Sequence, residues 1–201
     1  MSVSTPPESP LRRSPRSGSR CSCPAFGCGE RGPGAATFDV IFSDIELYGR
    51  LLGSEDRAAA SVAELRRRVA VVERRIPGES DATVMAGGIF EEEIFVWGSA
   101  SVANTLIETL GFTNAFADVQ EDVTTPSREE IIARDPDAVV LFSFQEAPED
   151  TEADFLAIPE TAALTAVQEG NVIVIPAAYY QGNQLAVTGL EILAERLARL
   201  R

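Results

Sequence analysis

A serine followed two and three residues later by glutamates, Ser127-Arg128-Glu129-Glu130, opens a stretch that ends at Asp135-Pro136. In a capping box the Ser127 oxygen takes the N–H of the third helical residue, and the glutamate there reaches back to the serine N–H. That occupies Glu130. Glu129 is left in solvent at the positive end of a helix dipole, which favours a carboxylate by about 0.3–1 kcal/mol. It is either a complement to the dipole or a carboxylate offered to a cationic partner. Trp97-Gly98-Ser99 stands at an expected strand-to-helix junction, where an indole beside backbone N–H groups suits an anionic or carbonyl ligand. A core tryptophan beside a capping serine fits the same residues equally well. Tyr179 and Tyr180 follow an apolar run; adjacent side chains diverge, so one packs and the other faces outward. A tyrosinate can ligate haem iron, although stacking or hydrogen bonding is the commoner use. Phe142 and Phe144 bracket Ser143, with Phe144 the candidate for a cleft and core packing the alternative for both. Glu91, Glu92 and Glu93 could hold a hard cation, but a charged, solvated turn is the preferred reading and no metal site is expected. With Asp135 and Asp137 these acids are also the material for a small carboxylate-using enzyme.

Composition removes several chemistries. None of the 201 residues is histidine, which excludes serine–histidine catalysis and histidine-ligated zinc. Cys21, Cys23 and Cys28 all lie near the N-terminus at spacings that complete no standard zinc pattern, so no disulfide framework is expected. The net charge is −14, with five arginines and two glutamates in residues 1–36, so residues 37–201 carry −17. A surface of that sign repels nucleic acid and suits a cationic partner patch. No apolar run reaches the roughly 18 residues of a membrane span, and residues 1–36 lack the apolar stretch of a secretory signal, so no export signal is expected in this chain.

The elements that must position these side chains follow from periodicity. Residues 1–36, rich in Ser, Pro, Gly and Arg, read as a disordered low-complexity tail. A short helical run over Ile45–Leu52 ends at Gly53, and Ser54 then caps a longer helix through Ile76 with Val62, Leu65, Val69, Val72 and Ile76 on one stripe. Strands are expected at Ala82–Ala86, Ile94–Trp97, Ala138–Phe142 and Val172–Ile175, with a short extended piece near Phe116. Helices are expected at Ser99–Leu110, from Ser127, over Glu152–Glu169 with a break near Pro159, and over Leu185–Arg199. Unbroken aliphatic strands between helices predict an α/β fold, a three-layer parallel, Rossmann-like sheet of about four strands. Ligands of such sheets sit beyond the carboxyl ends of the strands.

The pattern S-x-E-E-[IL]-hydrophobic-A-x-x-P-D-hydrophobic-hydrophobic over Ser127–Val140 resembles the second lobe of the periplasmic binding proteins that feed iron-siderophore, haem and cobalamin ABC importers. DIELYGRLLGSEDRAAASVAELRRRVAVVERRI is similar to that family's inter-lobe helix, placed here at about residues 44–76. FVWGSASVANTLIETLGFTNAF and GNVIVIPAAYYQGNQLAVTGLEILAERL resemble its G-x-x-S/helix/G-x-x-N segment and its closing strand and helix. The resemblance covers roughly residues 38–201 and implies a single C-terminal lobe, a fragment lacking the domain-sized N-terminal lobe that precedes the connecting helix. It implies no catalysis and no cofactor. The implied ligand is a large chelate or macrocycle, a ferric siderophore ahead of cobalamin or haem, held by Trp97, Ser99, Phe144, Tyr179 and Tyr180. By the same resemblance Glu129 docks into arginines of the importer's permease subunit, and the protein works outside the cytoplasm. The rivals are the carboxylate-using enzyme, against which G-x-x-x-x-G-K-[ST], G-x-S-x-G and a strand-following G-x-G-x-x-G are all missing, and a non-functional gene fragment.

Overall fold

A computed structural model describes residues 36–90, 92–144 and 147–200. The three cysteines, Glu91 and residues 1–35 of the expected tail lie outside the described residues. Ala36 is 1% exposed, and its carbonyl accepts the Thr105 hydroxyl at 2.9 Å.

Thr37 caps the first helix, α1 (Phe38–Leu51), its side chain accepting from the Val40 N–H. The helix begins two turns before the expected Ile45, because Phe38, Ile41 and Phe42 carry the buried stripe further back. After Gly53 comes α2 (Glu55–Glu73), which buries Val62, Leu65, Val69 and Val72 as their spacing predicts. Ser54 holds the cap position without a side-chain capping bond; Glu55 and Asp56 in the first turn complement the dipole instead. Ile76 lies beyond the helix end and packs against the core from there. The two helices touch where Gly49 meets Ala58: a Cβ built on Gly49 would stand 2.3 Å from the Ala58 Cβ. Gly49→Ala is therefore expected to destabilise the protein by about 1–3 kcal/mol through overpacking. That outweighs the helix-propensity gain of up to about 1 kcal/mol. The check is a lower urea midpoint at unchanged slope; a raised midpoint would mean the helices do not pack this closely.

Among the described residues six strands form one sheet: β1 (Thr83–Phe90), β2 (Glu93–Trp97), β3 (Thr113–Asn114), β4 (Val123–Thr124), β5 (Ala138–Ser143) and β6 (Val172–Pro176). Their order is β4-β2-β1-β5-β6, with β3 beside β1. The four expected strands are all present, and β1 runs parallel to β3 and β5, as β5 does to β6. The sheet is nevertheless mixed, since β2 lies antiparallel to both β1 and β4. Phe90 pairs with Glu93, leaving two residues between the strands, too few for the crossover that a parallel neighbour needs. β3 and β4 have two residues each, too short to leave a periodic signal.

Alternation along the strands builds two cores. Val84, Ala86, Ala138, Val140, Phe142, Ile173 and Ile175 face α1, α2, α3 (Val102–Thr109) and α7 (Leu185–Arg196). Met85, Val139 and Leu141 face the other way, toward α4 (Arg128–Arg134), α5 (Pro148–Ala157) and α6 (Thr165–Gln168). The result is the three-layer α/β unit that the aliphatic runs imply. The expected break near Pro159 is a 3₁₀ segment, Pro159–Ala163. Arg68 ties α2 to α7, its guanidinium donating to both Glu191 carboxylate oxygens at 2.9 and 2.5 Å and to the Thr188 hydroxyl at 2.9 Å.

Candidate functional site

A cleft of about 900 Å³ opens at the carboxyl ends of β1 and β5, between the β1–β2 hairpin and α5. That is where open α/β sheets hold ligands, and the volume is that of a small-molecule site. Its apolar wall is aromatic: Phe90, Phe95, Phe142 and Phe144. Phe142 is 1% exposed, whereas Phe90 and Phe144 are 68% and 61% exposed. The pairing of Gly88 with Phe95 across the hairpin makes this wall possible. A Cβ on Gly88 would lie 2.4 Å from the Phe95 ring, so only glycine lets the ring lie across β1. Arg128, Glu92 and Asp154 supply the charged lining.

Of the five side chains expected at a ligand, Phe144 alone lines the cleft. Trp97 is 3% exposed and sits behind the wall, its ring 5.2 Å from Phe95, 5.2 Å from Phe142 and 4.5 Å from Tyr180. The core reading of Trp97 thus describes its position. Tyr180 also lies behind, 4.6 Å from Phe142 and 6.3 Å from Phe144. Burial pushes its phenol up, Asp122 adds to this, and hydrogen bonds with Trp97 and Gln181 pull the other way. Tyr179 diverges from it and packs half-buried against the core. Ser99 does not open the helix: its N–H and hydroxyl both donate to the Val119 carbonyl at 2.8 Å. Ser101 caps α3 instead, accepting from the Asn104 N–H at 3.0 Å and donating to the Gly98 carbonyl at 2.7 Å. Asn114, last residue of the G-x-x-N segment, donates to the Trp97 carbonyl and to Asn104 Oδ1 at 3.0 Å each, fixing the strand end that carries the indole.

Beside the cleft stands α4. The Ser127 hydroxyl oxygen accepts from the Glu130 N–H at 3.1 Å, as a capping box requires. The reciprocal bond is replaced: Glu130 Oε1 accepts from Arg134 at 2.8 and 3.2 Å. A guanidinium one turn on is a stronger partner for a carboxylate than a neutral amide. Arg134 also forks onto Asp118 at 2.6 and 3.0 Å, donates to the Ala115 carbonyl at 2.7 Å, and lies 4.3 Å from the Phe116 ring centre. That guanidinium holds the Asp118 carboxyl below the usual range, and Asp118 in turn pushes Arg134 up. Arg128 turns toward the cleft, donating to Glu160 at 3.1 Å and to the Glu92 carbonyl at 3.3 Å. Glu129 is exposed and has no hydrogen-bond or ion-pair partner among the described residues.

Asp135 and Asp137 are engaged in holding the fold. Asp135, in the left-handed conformation at φ 39°, accepts from the Thr165 N–H and hydroxyl at 2.7 Å each, which lowers its pKa. Asp137 accepts from the Thr83 N–H at 2.7 Å and hydroxyl at 3.1 Å. Among the described residues no group of acidic, cysteine or histidine side chains is placed to hold a metal ion.

The sequence pattern of the family described as periplasmic binding protein matches residues 25–179. The chain belongs to the periplasmic binding protein family. It is similar to a cobalamin-binding protein of Halobacterium salinarum, 30% identical over 145 residues, which cover 70% of this chain and 39% of that protein. Among solved structures it resembles an ABC-type Fe3+-hydroxamate transport protein from Saccharomonospora viridis at 33% identity and TM-score 0.75, covering 84% of this chain and 58% of that one. A periplasmic haem-binding protein from Roseiflexus shares the fold at 20% identity and TM-score 0.72, over 82% of this chain and 64% of its own. This periplasmic binding protein chain therefore spans less than two thirds of the length of these relatives. Family members are substrate-binding transport proteins, not enzymes. No described helix is long and apolar enough to cross a membrane.

Proposed function

We propose that this chain is one lobe of the substrate-binding component of an ABC importer for ferric siderophores, working outside the cytoplasm. Phe90, Phe95 and Phe144 contact the ligand, Phe142, Trp97 and Tyr180 brace that wall from behind, and Ser99 and Tyr179 set the turns that hold it. Glu129 enters an arginine socket on the permease subunit. One observation carries the reading: an aromatic cleft at the carboxyl ends of the parallel strands, beside a helix tip whose carboxylate has no described partner. Cobalamin is the second reading, favoured by the relatedness to the Halobacterium cobalamin-binding protein.

Ligand pockets cover about 70–90% of a ligand's surface, and one lobe supplies a single wall. Titration of the chain with ferric siderophores and cobalamin, followed by Trp97 fluorescence, is expected to give Kd values weaker than about 1 μM. Nanomolar affinity would overturn the one-wall reading. Glu129→Lys is expected to leave the unfolding free energy within about 0.5 kcal/mol. The same change should weaken binding to the permease subunit at least about tenfold, as placing like charges in an interface does. Undiminished permease binding would remove Glu129 from the interface.

A further inference from the structure

We infer that the cleft selects by charge, taking neutral or cationic metal chelates and rejecting polyanionic ones, and that it offers no axial donor to a haem. This rests on the reading of the cleft as the ligand site.

The charge argument starts with the lining. Arg128 is the single base among the described lining residues, and it is already committed at 3.1 Å to Glu160 and at 3.3 Å to the Glu92 carbonyl. Glu92 on the hairpin and Asp154 on α5 bring carboxylates to the lining from two elements. Around them α5 adds Glu149, Asp150 and Glu152 with no basic residue, on a body carrying −17. Low-dielectric walls focus such a field within a cleft. Elementary coordination chemistry sorts the ligands. Three hydroxamates, each carrying one negative charge, neutralise Fe3+, and a pendant ammonium makes the complex cationic. Three catecholates, each carrying two, leave a trianion, and a haem carries two propionates.

The coordination argument is independent. A haem with an open axial position takes a histidine, thioether, thiolate or phenolate donor. The chain has no histidine, and among the described residues the cleft lining contains no cysteine, methionine or tyrosine. Tyr180 is not among the residues lining the cleft; it packs against Trp97 and Phe142, and burial pushes its phenol up. For a haem, then, the described lining offers aromatic surface but no axial donor.

The test uses the full chain labelled with 15N and titrated with gallium(III) complexes, which are diamagnetic and carry the same charge as their ferric counterparts. A cationic linear trihydroxamate, a neutral cyclic trihydroxamate and a trianionic tris-catecholate form the series, followed through the amide signals of Phe90, Arg128 and Phe144. The two trihydroxamates are expected to bind at least about tenfold more tightly than the tris-catecholate, with the gap closing as salt rises from about 0.02 to 0.5 M. In an E92Q/D154N double variant the gap should shrink at low salt. Equal or tighter binding of the tris-catecholate at these amides overturns the inference and leaves the cleft as the ligand site. A gap that the double variant does not change also overturns it, because the discrimination then has another source. If no chelate of any charge moves these signals at about millimolar concentration, a range that still detects weak one-walled binding, the reading of the cleft fails and the inference with it.

Discussion

Trp97→Ala is expected to lower the unfolding free energy by about 3–5 kcal/mol, the range for truncating a large buried aromatic, while Phe144→Ala changes it by less than about 1 kcal/mol. The two residues belong to one aromatic cluster, yet Trp97 is 3% exposed and Phe144 61%. The indole touches three rings at once, with centroids 4.5–5.2 Å away. Its loss leaves a cavity bordered by Phe95, Phe142 and Tyr180, and deprives the Tyr180 oxygen of a hydrogen bond. The Phe144 ring lies more than 6 Å from its two ring neighbours and gives up little buried area. For a domain of ordinary stability, about 5–15 kcal/mol, the Trp97 variant approaches the point of unfolding. The Phe144 variant is expected to stay folded and, on the proposed reading of the cleft, to lose ligand affinity. Urea unfolding followed by circular dichroism measures both. A Trp97→Ala protein within 1 kcal/mol of the parent would show that the indole is not the keystone of this wall; a Phe144→Ala protein with full ligand affinity would remove Phe144 from the cleft's working surface.

The parts of this architecture that were legible in the sequence are those encoded within a few residues. Ala138–Ser143 and Val172–Pro176 are nearly all aliphatic, and a segment with no polar face must be covered on both sides. Ser127 and Glu130 announce a helix start because capping is a contact between neighbours three residues apart. Glu129 stood out for the complementary reason, as a carboxylate that the capping box leaves unused and that either complements the helix dipole or meets a partner. What was not legible depends on register and long-range pairing. That Phe95 lies across Gly88 follows from a two-residue hairpin connection, which reverses β2 and brings Phe90 and Phe95 to one rim. Arg128 enters the cleft only because β1–β2 carries the Glu92 carbonyl to within 3.3 Å of it, from 36 residues away. Trp97 resembled a ligand residue by its place at a strand end. Its burial is decided by Phe142 and Tyr180, which arrive from distant segments. The same holds for Glu130, whose partner Arg134 is itself oriented by Asp118, 16 residues earlier.

That arginine carries the other large effect. Arg134→Ala is expected to cost about 2–4 kcal/mol, more than its solvent-facing ion pairs alone imply. An exposed pair contributes about 0–1 kcal/mol, and Asp118 is 68% exposed. The larger share comes from the charged hydrogen bond to the Ala115 carbonyl, a type worth about 1.5–3 kcal/mol. The face of Phe116 adds about 0.5–1 kcal/mol. Arg134→Lys should recover less than half, because an ammonium cannot fork onto Asp118 while reaching Glu130 and the carbonyl. The pH dependence has a definite sign. The guanidinium depresses the folded-state pKa of Asp118 below its ordinary 3.8. Its contribution is therefore present above about pH 4 and is lost as pH falls through the lower folded value. The parent should lose stability more steeply than Arg134→Ala on going from about pH 4 to 2, and equal slopes would detach Asp118 from the clasp. Function follows from the same geometry. Without Arg134, Glu130 is released one residue from Glu129, and α4 loses its tether to the loop after β3. If Glu129 docks as proposed, permease binding should then fall although Glu129 is untouched, and a variant that unfolds early yet docks normally would show that helix position does not govern the proposed contact.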